Sequence, residues 1–366
     1  MLNILPIISA LILSGICGFI FIPAILSFCK KRNLYDIPNQ RKMHHTLVPR
    51  LGGIAFLPSM LIAFFIAILV MSKEQGGTRI PVNMWSLGFM ASLLLIYAIG
   101  IVDDITGLGA KTKFTAQIIS ASILPLCGLY INNLYGFFGV YKIPFWVGFP
   151  LTVFIIVFID NAMNLIDGID GLAASLTLLS LVGFLYGFID DGLWVYGILI
   201  SGLIGILIPF LYFNIWGKEE NNRKVFMGDS GSLTLGFVLG FLFVKYTMDN
   251  RAVAPFSEDK MIKAYSLLII PTFDVCRVMI HRFRTKTPIF HADKNHIHHK
   301  MMKMGLSMHQ TLVAIICLAL FFILANSILY PTIGITWVFI IDVCLYTCVH
   351  VAINKHTVRK AKRGNI

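Results

Sequence analysis

Charged side chains are scarce in this chain: only 13% of its 366 residues are Asp, Glu, Lys or Arg, whereas 57% are hydrophobic. Soluble globular domains carry about 25% charged residues. A mean hydropathy of +0.80 also leaves more apolar surface than a chain in water can tolerate. The composition therefore excludes an ordinary soluble domain and a disordered or nucleic-acid-binding tail protein. It is typical of a polytopic integral membrane protein.

Cysteine motifs and repeats are missing as well. The seven cysteines are an odd number, no two have the C-x-x-C spacing, and most lie within apolar runs. Cysteine in such runs behaves as a small hydrophobic residue, so we expect neither a disulfide framework nor a zinc knuckle. No internal repeat or low-complexity linker divides the chain, and residues 1–366 are treated as a single membrane domain.

Long apolar runs predict an all-α bundle of about eleven transmembrane helices. Only helices and closed barrels satisfy their backbone in lipid, and these runs do not alternate as barrel strands do. The predicted spans are 2–29, 52–71, 85–102, 115–131, 146–160, 171–188, 193–213, 230–247, 264–281, 311–329 and 332–353. The fifth span contains Pro150 and follows Pro144, so a broken or re-entrant helix is an alternative there.

The distribution of positive charge predicts the orientation. The odd-numbered loops and the C-terminal tail hold 22 lysines and arginines, and the even-numbered loops hold 7. The positive-inside rule then places the N-terminus outside and the C-terminus in the cytoplasm. The first apolar run is followed by Lys30 and Lys31 rather than by a cleavage site, so it is interpreted as an uncleaved span.

Polar residues cluster at the predicted cytoplasmic helix ends, in loops at about 30–51, 103–114, 160–171, 214–230 and 282–310. In the first loop, Arg41, Lys42 and His44 could bind a phosphate, with Gly52 and Gly53 allowing close backbone approach. The alternative is a plain positive-inside loop with turn residues. A carboxylate in the membrane costs about 2.5–3.5 kcal/mol unless it faces protein, water or a cation, so the acidic clusters are the stronger signal.

The first acidic cluster is Asp103-Asp104, at the end of the third span. Two carboxylates at the negative end of a helix dipole are unfavourable without a cation. A magnesium ion, a substrate proton or the nearby Lys111 and Lys113 would offset that cost. A simple helix-terminating pair is the alternative.

The segment from Asp160 to Leu172 holds three aspartates and two asparagines. On a helix, Asp160, Asn164 and Asp167 share one face, and hard oxygen ligands of this kind suit Mg²⁺. The segment Gly228-Asp229-Ser230 at the start of the eighth span is a second candidate phosphate or metal site. Asp229 or Ser230 acting only as a helix N-cap is the alternative.

Histidines are concentrated in the last long cytoplasmic loop. Arg284, His296, His298 and His299 offer guanidinium and imidazole donors that fit an anionic substrate. A zinc site is the alternative, although these histidines lack the spacing and the accompanying Cys or Glu of common zinc sites.

Five motifs occur in order along one predicted face: DxPNxRKxH with PRLGG, the DD pair, NAxNLIDGxDGL, FMGDSGS and HIHH. This pattern resembles the polyprenyl-phosphate N-acetylhexosamine-1-phosphate transferases over about residues 36–300. The HIHH form is most similar to the WecA/TagO branch, whose members start O-antigen, common antigen or teichoic-acid linkage units. Thr287 and Ala292 depart from the Ser and Pro usual in that branch, which bears on loop shape and sugar choice.

The resemblance implies transfer of a sugar 1-phosphate, most simply from UDP-GlcNAc, to undecaprenyl phosphate with release of UMP. It implies a multi-pass protein of the bacterial cytoplasmic membrane whose active site faces the cytoplasm, with Mg²⁺, or alternatively Mn²⁺, held by Asp229, Asn164 and Asp167. The implied catalytic residues are Asp103, Asp104, Asp167 and Asp170. The implied substrate-binding residues are Arg41, Lys42, His44, Lys111, Lys113, Asn161, Asn214, Arg284, His296, His298 and His299. Nucleic acid is not an expected partner, and a homodimer is left open.

Three other functions compete with this interpretation. A UDP-MurNAc-pentapeptide phosphotransferase of peptidoglycan synthesis belongs to the same family but carries a different histidine loop. An ion-coupled transporter would also use membrane carboxylates, but it should place them near mid-span and show repeats. A structural membrane protein would not need five polar clusters on one face.

Overall fold

The computed structural model describes residues 4–36, 48–74, 83–218, 223–288 and 294–363. Within these ranges the protein is a helical bundle with two short hairpins, which confirms the all-α expectation. The helices are α1 (Ile4–Arg32), α2 (Phe56–Glu74), α3 (Met84–Thr106), α4 (Ala110–Leu126), α5 (Phe145–Ile166), α6 (Leu172–Asp190), α7 (Trp194–Leu211), α8 (Gly228–Thr247), α9 (Lys260–Leu267), α10 (Ile269–Arg284), α11 (Ile297–Met304) and α12 (Met308–Arg363).

Two antiparallel hairpins lie at opposite ends of the bundle. Strands β1 (Tyr35–Asp36) and β2 (Val48–Pro49) close the base of the first loop. Strands β3 (Asn133–Phe137) and β4 (Val140–Lys142) cover the other end, where the Tyr135 hydroxyl donates to the Thr247 carbonyl at 3.0 Å.

Eight helices in the described ranges are long and apolar enough to cross a membrane, and a bent pair, α9 with α10, would make a ninth. Each of the eleven predicted spans overlaps a helix, but α4 has only 17 residues, and the last two spans both fall within α12. The structure thus supports a multi-pass helical protein.

Helix α12 spans Met308–Arg363 but reverses direction partway along its length. Gly334 has φ 74° and ψ 170°, outside the helical region. The Asn326 amide donates to Asp342 Oδ2 at 2.9 Å, whereas a straight helix would separate residues 16 apart by about 24 Å. The two predicted spans 311–329 and 332–353 are therefore the two arms of a helical hairpin.

Two further helices differ from the sequence-based boundaries. Helix α5 is continuous and extends to Ile166, so the predicted end at residue 160 and the alternative of a broken helix are both wrong. Pro144 precedes the helix, and Pro150 in its second turn removes one backbone hydrogen bond without ending the helix. The ninth predicted span bends by 69° between α9 and α10. Pro271 explains this bend, because proline cannot donate the hydrogen bond that would join these two helices.

Helix α8 is the centre of the bundle. Its most apolar stretch is fully buried inside the protein. The helix packs against α3, α5 and α6. Gly236 lies against Asp160 and Gly240 against Ile156, which brings the backbones of α8 and α5 close together. Because α8 is enclosed by protein, its first turn occupies a fixed place among the ends of its neighbours.

Candidate functional site

The loop before α8 is hydrogen-bonded to the segment that precedes α2. The amide of Gly52 donates to the Phe226 carbonyl at 2.9 Å, and that of Gly53 donates to Met227 at 2.8 Å. A side chain at Gly53 would overlap the backbone of Gly231. The Gly pair does allow close backbone approach, as expected, but what approaches is the chain's own α8.

Asp104 caps helix α8 from a neighbouring helix. Its Oδ1 accepts from the amide of Asp229 at 2.8 Å and its Oδ2 from that of Ser230 at 2.9 Å. The alternative that Asp229 or Ser230 is the N-cap is wrong, since the cap residue is Met227 and no side chain of its own caps the helix. Asp104 therefore joins the ends of α3 and α8, and its predicted catalytic role stays a prediction.

Lys113 bridges two carboxylates from different helices. Its ammonium lies 3.0 Å from Asp103 Oδ2 and 2.8 Å from Asp229 Oδ2. Asp103 also accepts from the amide of Leu108 at 2.6 Å, which fixes the turn between α3 and α4. Lys111, predicted to share the role of Lys113, is exposed. The structure thus brings Lys113, but not Lys111, together with the DD pair and the FMGDSGS motif.

The third motif reaches the same cluster through Asn164. Its amide nitrogen donates to Asp229 Oδ1 at 2.7 Å and to Ser232 Oγ at 2.8 Å. Asp103, Lys113, Asn164 and Asp229, named here the acidic cluster, thus come from four helices. Since Asn164 uses its nitrogen for both bonds, its oxygen is the atom that could face a cation.

Asp160 and Asn161 lie one helical turn deeper in the protein. Asp160 is fully buried and accepts from Gln117 Nε2 at 2.9 Å. Asn161 donates to Gln117 Oε1 at 2.8 Å. Gln117 of α4, which the sequence analysis missed, therefore orients both residues, and the predicted substrate contact of Asn161 stays a prediction.

Asp167 ends α5 beside the acidic cluster. Although Asp167 is exposed as a residue, partial desolvation of its carboxyl group, together with the negative charges of Asp229, Asp170 and Asp104, raises its pKa to about 7. Its carboxyl group is thus poised to be neutral or ionised near neutral pH.

The other two polar residues predicted near this motif make contacts within the fold. Asp170 pairs with Lys224 Nζ at 2.5 Å. The Asn214 oxygen accepts from the amide of Gly171 at 2.6 Å, and its nitrogen donates to the Val225 carbonyl at 2.7 Å. Asn214 therefore links the third motif to the loop before α8 through hydrogen bonds. Its predicted contact with substrate stays a prediction.

The described part of the histidine loop, residues 294–304, packs against the third motif, NAxNLIDGxDGL. The ring of His298 fills the space that a side chain at Gly168 would need. Burial first, and then the positive charge of His299, lowers the pKa of His298 to about 3. Burial and the neighbouring His296 likewise lower the pKa of His299 to about 4. Both rings are thus neutral at pH 7, and each carries one N–H donor.

The remaining predicted residues are placed as follows. Arg41, Lys42 and His44 lie outside the described residues. Arg284 is exposed in the last turn of α10. Asp274 was missed by the sequence analysis, and its Oδ2 lies 2.8 Å from Nδ1 of His296. The signal that could have revealed it is Arg277, a charge inside an apolar span that needs a partner.

The donor set fits a magnesium ion better than a zinc ion. Among the described residues, no group of three or more His, Cys, Asp or Glu side chains is arranged to hold a metal, so the zinc alternative gains no support there. Magnesium needs only one or two carboxylates together with substrate phosphates and waters. Asp229 and the Asn164 oxygen supply such ligands, and the Lys113 ammonium between two carboxylates shows that this place attracts a cation.

Residues 86–247 match the protein family described as glycosyl transferase family 4. The chain is 31% identical over 335 residues to a probable undecaprenyl-phosphate N-acetylglucosaminyl 1-phosphate transferase of Bacillus subtilis (strain 168), covering 89% of this chain and 86% of the relative. It is 28% identical to an undecaprenyl-phosphate alpha-N-acetylglucosaminyl 1-phosphate transferase of Yersinia pestis, covering 86% and 82%. A decaprenyl-phosphate N-acetylglucosaminephosphotransferase of Mycobacterium tuberculosis (strain ATCC 25618 / H37Rv) is 31% identical, covering 77% and 72%. These similarities over most of the chain, together with the convergence of its motifs, show that it belongs to glycosyl transferase family 4, in the WecA/TagO-like branch of the polyprenyl-phosphate sugar-1-phosphate transferases.

Proposed function

We propose that this chain transfers N-acetylglucosamine 1-phosphate from UDP-GlcNAc to undecaprenyl phosphate, forming undecaprenyl-pyrophosphoryl-GlcNAc and UMP. The observation that carries the proposal is the acidic cluster, assembled from four helices at one end of a membrane bundle. The names of the relatives describe the same transfer to undecaprenyl or decaprenyl phosphate. The product would begin a cell-surface polysaccharide of the O-antigen, common-antigen or teichoic-acid type.

The chemistry requires two anions to approach each other. An oxygen of the lipid phosphate attacks the phosphorus that carries the sugar, a new P–O bond forms, and the bond to the UMP phosphate breaks with its electron pair leaving on UMP. The barrier is mainly electrostatic repulsion and positioning. Lys113, held between Asp103 and Asp229, can place its positive charge against a phosphate at this point.

The lipid phosphate needs little help to become a nucleophile. Its second pKa is about 6, so it is largely ionised at pH 7 without a strong base. Asp103 would then orient the phosphate or take up its residual proton. Direct attack is therefore favoured over a covalent aspartyl-phosphate intermediate.

Asp229, Asn164 and Asp167 are the residues that would hold Mg²⁺, or Mn²⁺ in its place. When bound, the ion would neutralise charge on the UDP pyrophosphate. The histidine loop, with Arg284 and the first-loop residues Arg41, Lys42 and His44, would contact the donor's phosphates and nucleotide. Neutral His298 packs against Gly168 and adds no charge to the site.

The site would face the cytoplasm in a bacterial inner membrane, because the loops on its side hold most of the lysines and arginines. The peptidoglycan-type substrate UDP-MurNAc-pentapeptide is the second candidate donor within this family. The HIHH sequence and the GlcNAc-specific names of the relatives favour UDP-GlcNAc over it.

The test is transfer of radiolabel from UDP-GlcNAc to undecaprenyl phosphate by the purified protein, with and without Mg²⁺. Asp229→Asn should abolish transfer, whereas Asp190→Asn should not, because Asp190 is exposed at the end of α6 away from the site. Parallel assays with UDP-GalNAc and UDP-MurNAc-pentapeptide identify the donor. No labelled lipid from any donor with well-folded protein would contradict the proposal.

A further inference from the structure

Asp274, in the second turn of α10, is fully buried and accepts three hydrogen bonds. Its Oδ2 accepts from Nδ1 of His296 at 2.8 Å, and its Oδ1 accepts from the amide of Ile297 at 3.0 Å and from Nη2 of Arg277 at 2.9 Å. A buried carboxylate is unfavourable unless it is paired and hydrogen-bonded in this way. Two of the three donors belong to the histidine loop, so Asp274 joins α10 to that loop.

These bonds determine which ring nitrogen of His296 carries a proton. An ionised Asp274 beside Arg277 only accepts hydrogen bonds, so Nδ1 of His296 must be the donor. Nε2 is then the ring nitrogen that remains for a contact outside this pair. Arg277 also donates to the carbonyl of Asn295, which fastens the residue that precedes His296. The pair thus fixes both the backbone and the tautomer at the start of α11.

A row of histidine rings connects this anchor to the third motif. The rings of His296 and His298 are nearly parallel with centroids 5.9 Å apart, and those of His298 and His299 are 4.2 Å apart. The ring of His298 in turn lies against Gly168, next to Asp167. A change in the orientation of His296 would therefore move the ring that meets the third motif.

Other titratable groups also face Asp274. They are Arg277 on the same helix, Tyr346 and His350 on α12, and His296, His298, His299 and Lys300 on the histidine loop and α11. His296, Arg277 and the Ile297 amide donate hydrogen bonds to Asp274. The rings of Tyr346 and His350 have centroids 4.7 Å apart and are tilted by 56° to each other.

We propose that Asp274 is a positioning residue for sugar-nucleotide binding: it orients His296 and thereby holds the histidine loop against the third motif. The inference rests on the proposed role of the histidine loop in binding the donor. The competing explanation is that the Asp274–Arg277 pair only stabilises the fold. The two explanations differ in whether the effect passes through His296 and falls on one substrate.

The experiment is a double-mutant cycle of Asp274→Asn and His296→Ala, with KM measured separately for UDP-GlcNAc and for undecaprenyl phosphate. Asn keeps the shape of Asp274 but turns an N–H toward the N–H of His296. Loss of one charge-assisted hydrogen bond should raise the KM for UDP-GlcNAc about tenfold or more, with little change in the KM for the lipid. In the His296→Ala background, Asp274→Asn should raise the KM for UDP-GlcNAc by less than about twofold.

Two further variants keep the result interpretable. Asp342→Asn removes another buried carboxylate, one that accepts from Asn326 and Tyr265 instead of the histidine loop. It should leave the KM for UDP-GlcNAc within about twofold of the wild type. If Asp274→Asn fails to fold because Arg277 loses its carboxylate partner, the double variant Asp274→Asn/Arg277→Gln removes both charges and takes its place.

The outcomes separate the proposals. Equal effects of Asp274→Asn in both backgrounds, equal rises in both KM values, or no effect would overturn the positioning role. Amide hydrogen exchange over residues 294–304, measured without substrate, should quicken in Asp274→Asn and not in Asp342→Asn. This exchange result tests the anchor even if the wild type shows no transfer, an outcome that would instead overturn the proposed function.

Discussion

At the scale of single residues, Lys113 is the positively charged member of the acidic cluster, with Nζ 2.8 Å from Asp229 and 3.0 Å from Asp103. Lys111 lies two residues earlier in the same helix and is exposed. We expect Lys113→Met to lower kcat/KM by about 10²-fold or more, as for removal of one preorganised charge donor, and Lys111→Met to lower it much less. Steady-state transfer assays on the two variants make the comparison, and equal losses would contradict it.

The ionisation of Asp167 should make stabilisation of the protein by Mg²⁺ depend on pH. Its pKa is raised to about 7, so the carboxyl is mostly neutral at pH 6 and mostly ionised at pH 8. A cation binds the ionised form, so stabilisation by Mg²⁺ should increase as pH rises from 6 to 8. Without the ion, a raised carboxyl pKa favours the folded state at low pH, and that contribution is lost as pH rises through about 7.

Thermal unfolding of the wild type and Asp167→Asn, with and without Mg²⁺ across this range, measures both effects. Asp167→Asn should remove most of the pH dependence of the Mg²⁺ shift. A shift of the same size at pH 6 and pH 8 in the wild type would show that Asp167 does not compete with protons for the ion.

The residues of the acidic cluster could be predicted because their side chains are unusual where they occur. Carboxylates at the ends of apolar helices need a cation, and this reasoning identified Asp103, Asn164 and Asp229 from the sequence. Gln117 and Asp274 could not be assigned in the same way. Their partners lie 43 and 22 residues away in the chain, and only tertiary packing brings them together.

At the scale of helices and loops, hydropathy located the long apolar helices and separated the two arms of α12 close to Gly334. It missed the short helix α11 and the bend between α9 and α10. The bend before Pro271 lies within apolar sequence, so hydropathy does not change there. The fifth predicted span ended at residue 160, whereas α5 continues to Ile166 and includes Asn164. Neighbouring α4 and α8 satisfy those side chains, and this is why the helix can continue.

Gly334 permits the reversal within α12, and a side chain there should destabilise it. With φ 74° and ψ 170°, the residue occupies a region that is essentially restricted to glycine. No atom lies within 4 Å of the position of an added Cβ, so the cost is backbone strain alone. We expect Gly334→Ala to lower the free energy of unfolding by about 1–3 kcal/mol.

Gly109→Ala is the matched control for this prediction. Its added Cβ also meets nothing within 4 Å, but its φ is −67°, an ordinary value for alanine. Thermal or denaturant unfolding in detergent should show the larger loss for Gly334→Ala. Similar losses for the two variants would show that the reversal at Gly334 is not strained by a side chain.

At the scale of the whole molecule, the site and the β3–β4 hairpin lie at opposite ends of α8, one beside Asp229 and the other beside Thr247. The sequence assigns these ends to opposite sides of the membrane through the distribution of lysine and arginine. The physical basis of this assignment is the membrane and its insertion machinery rather than contacts within the protein. Orientation therefore requires a measurement of its own.

Cysteine labelling of cells measures the orientation directly. In a background lacking the seven native cysteines, Val140→Cys reports the β3–β4 hairpin and Lys218→Cys reports the loop before α8; both positions are exposed. A membrane-impermeant maleimide should label Val140→Cys in intact cells and Lys218→Cys only after permeabilisation, because the positively charged end is retained in the cytoplasm. The opposite pattern would place the acidic cluster outside, where the cytoplasmic sugar nucleotide cannot reach it, and would contradict the proposed reaction as well as the orientation.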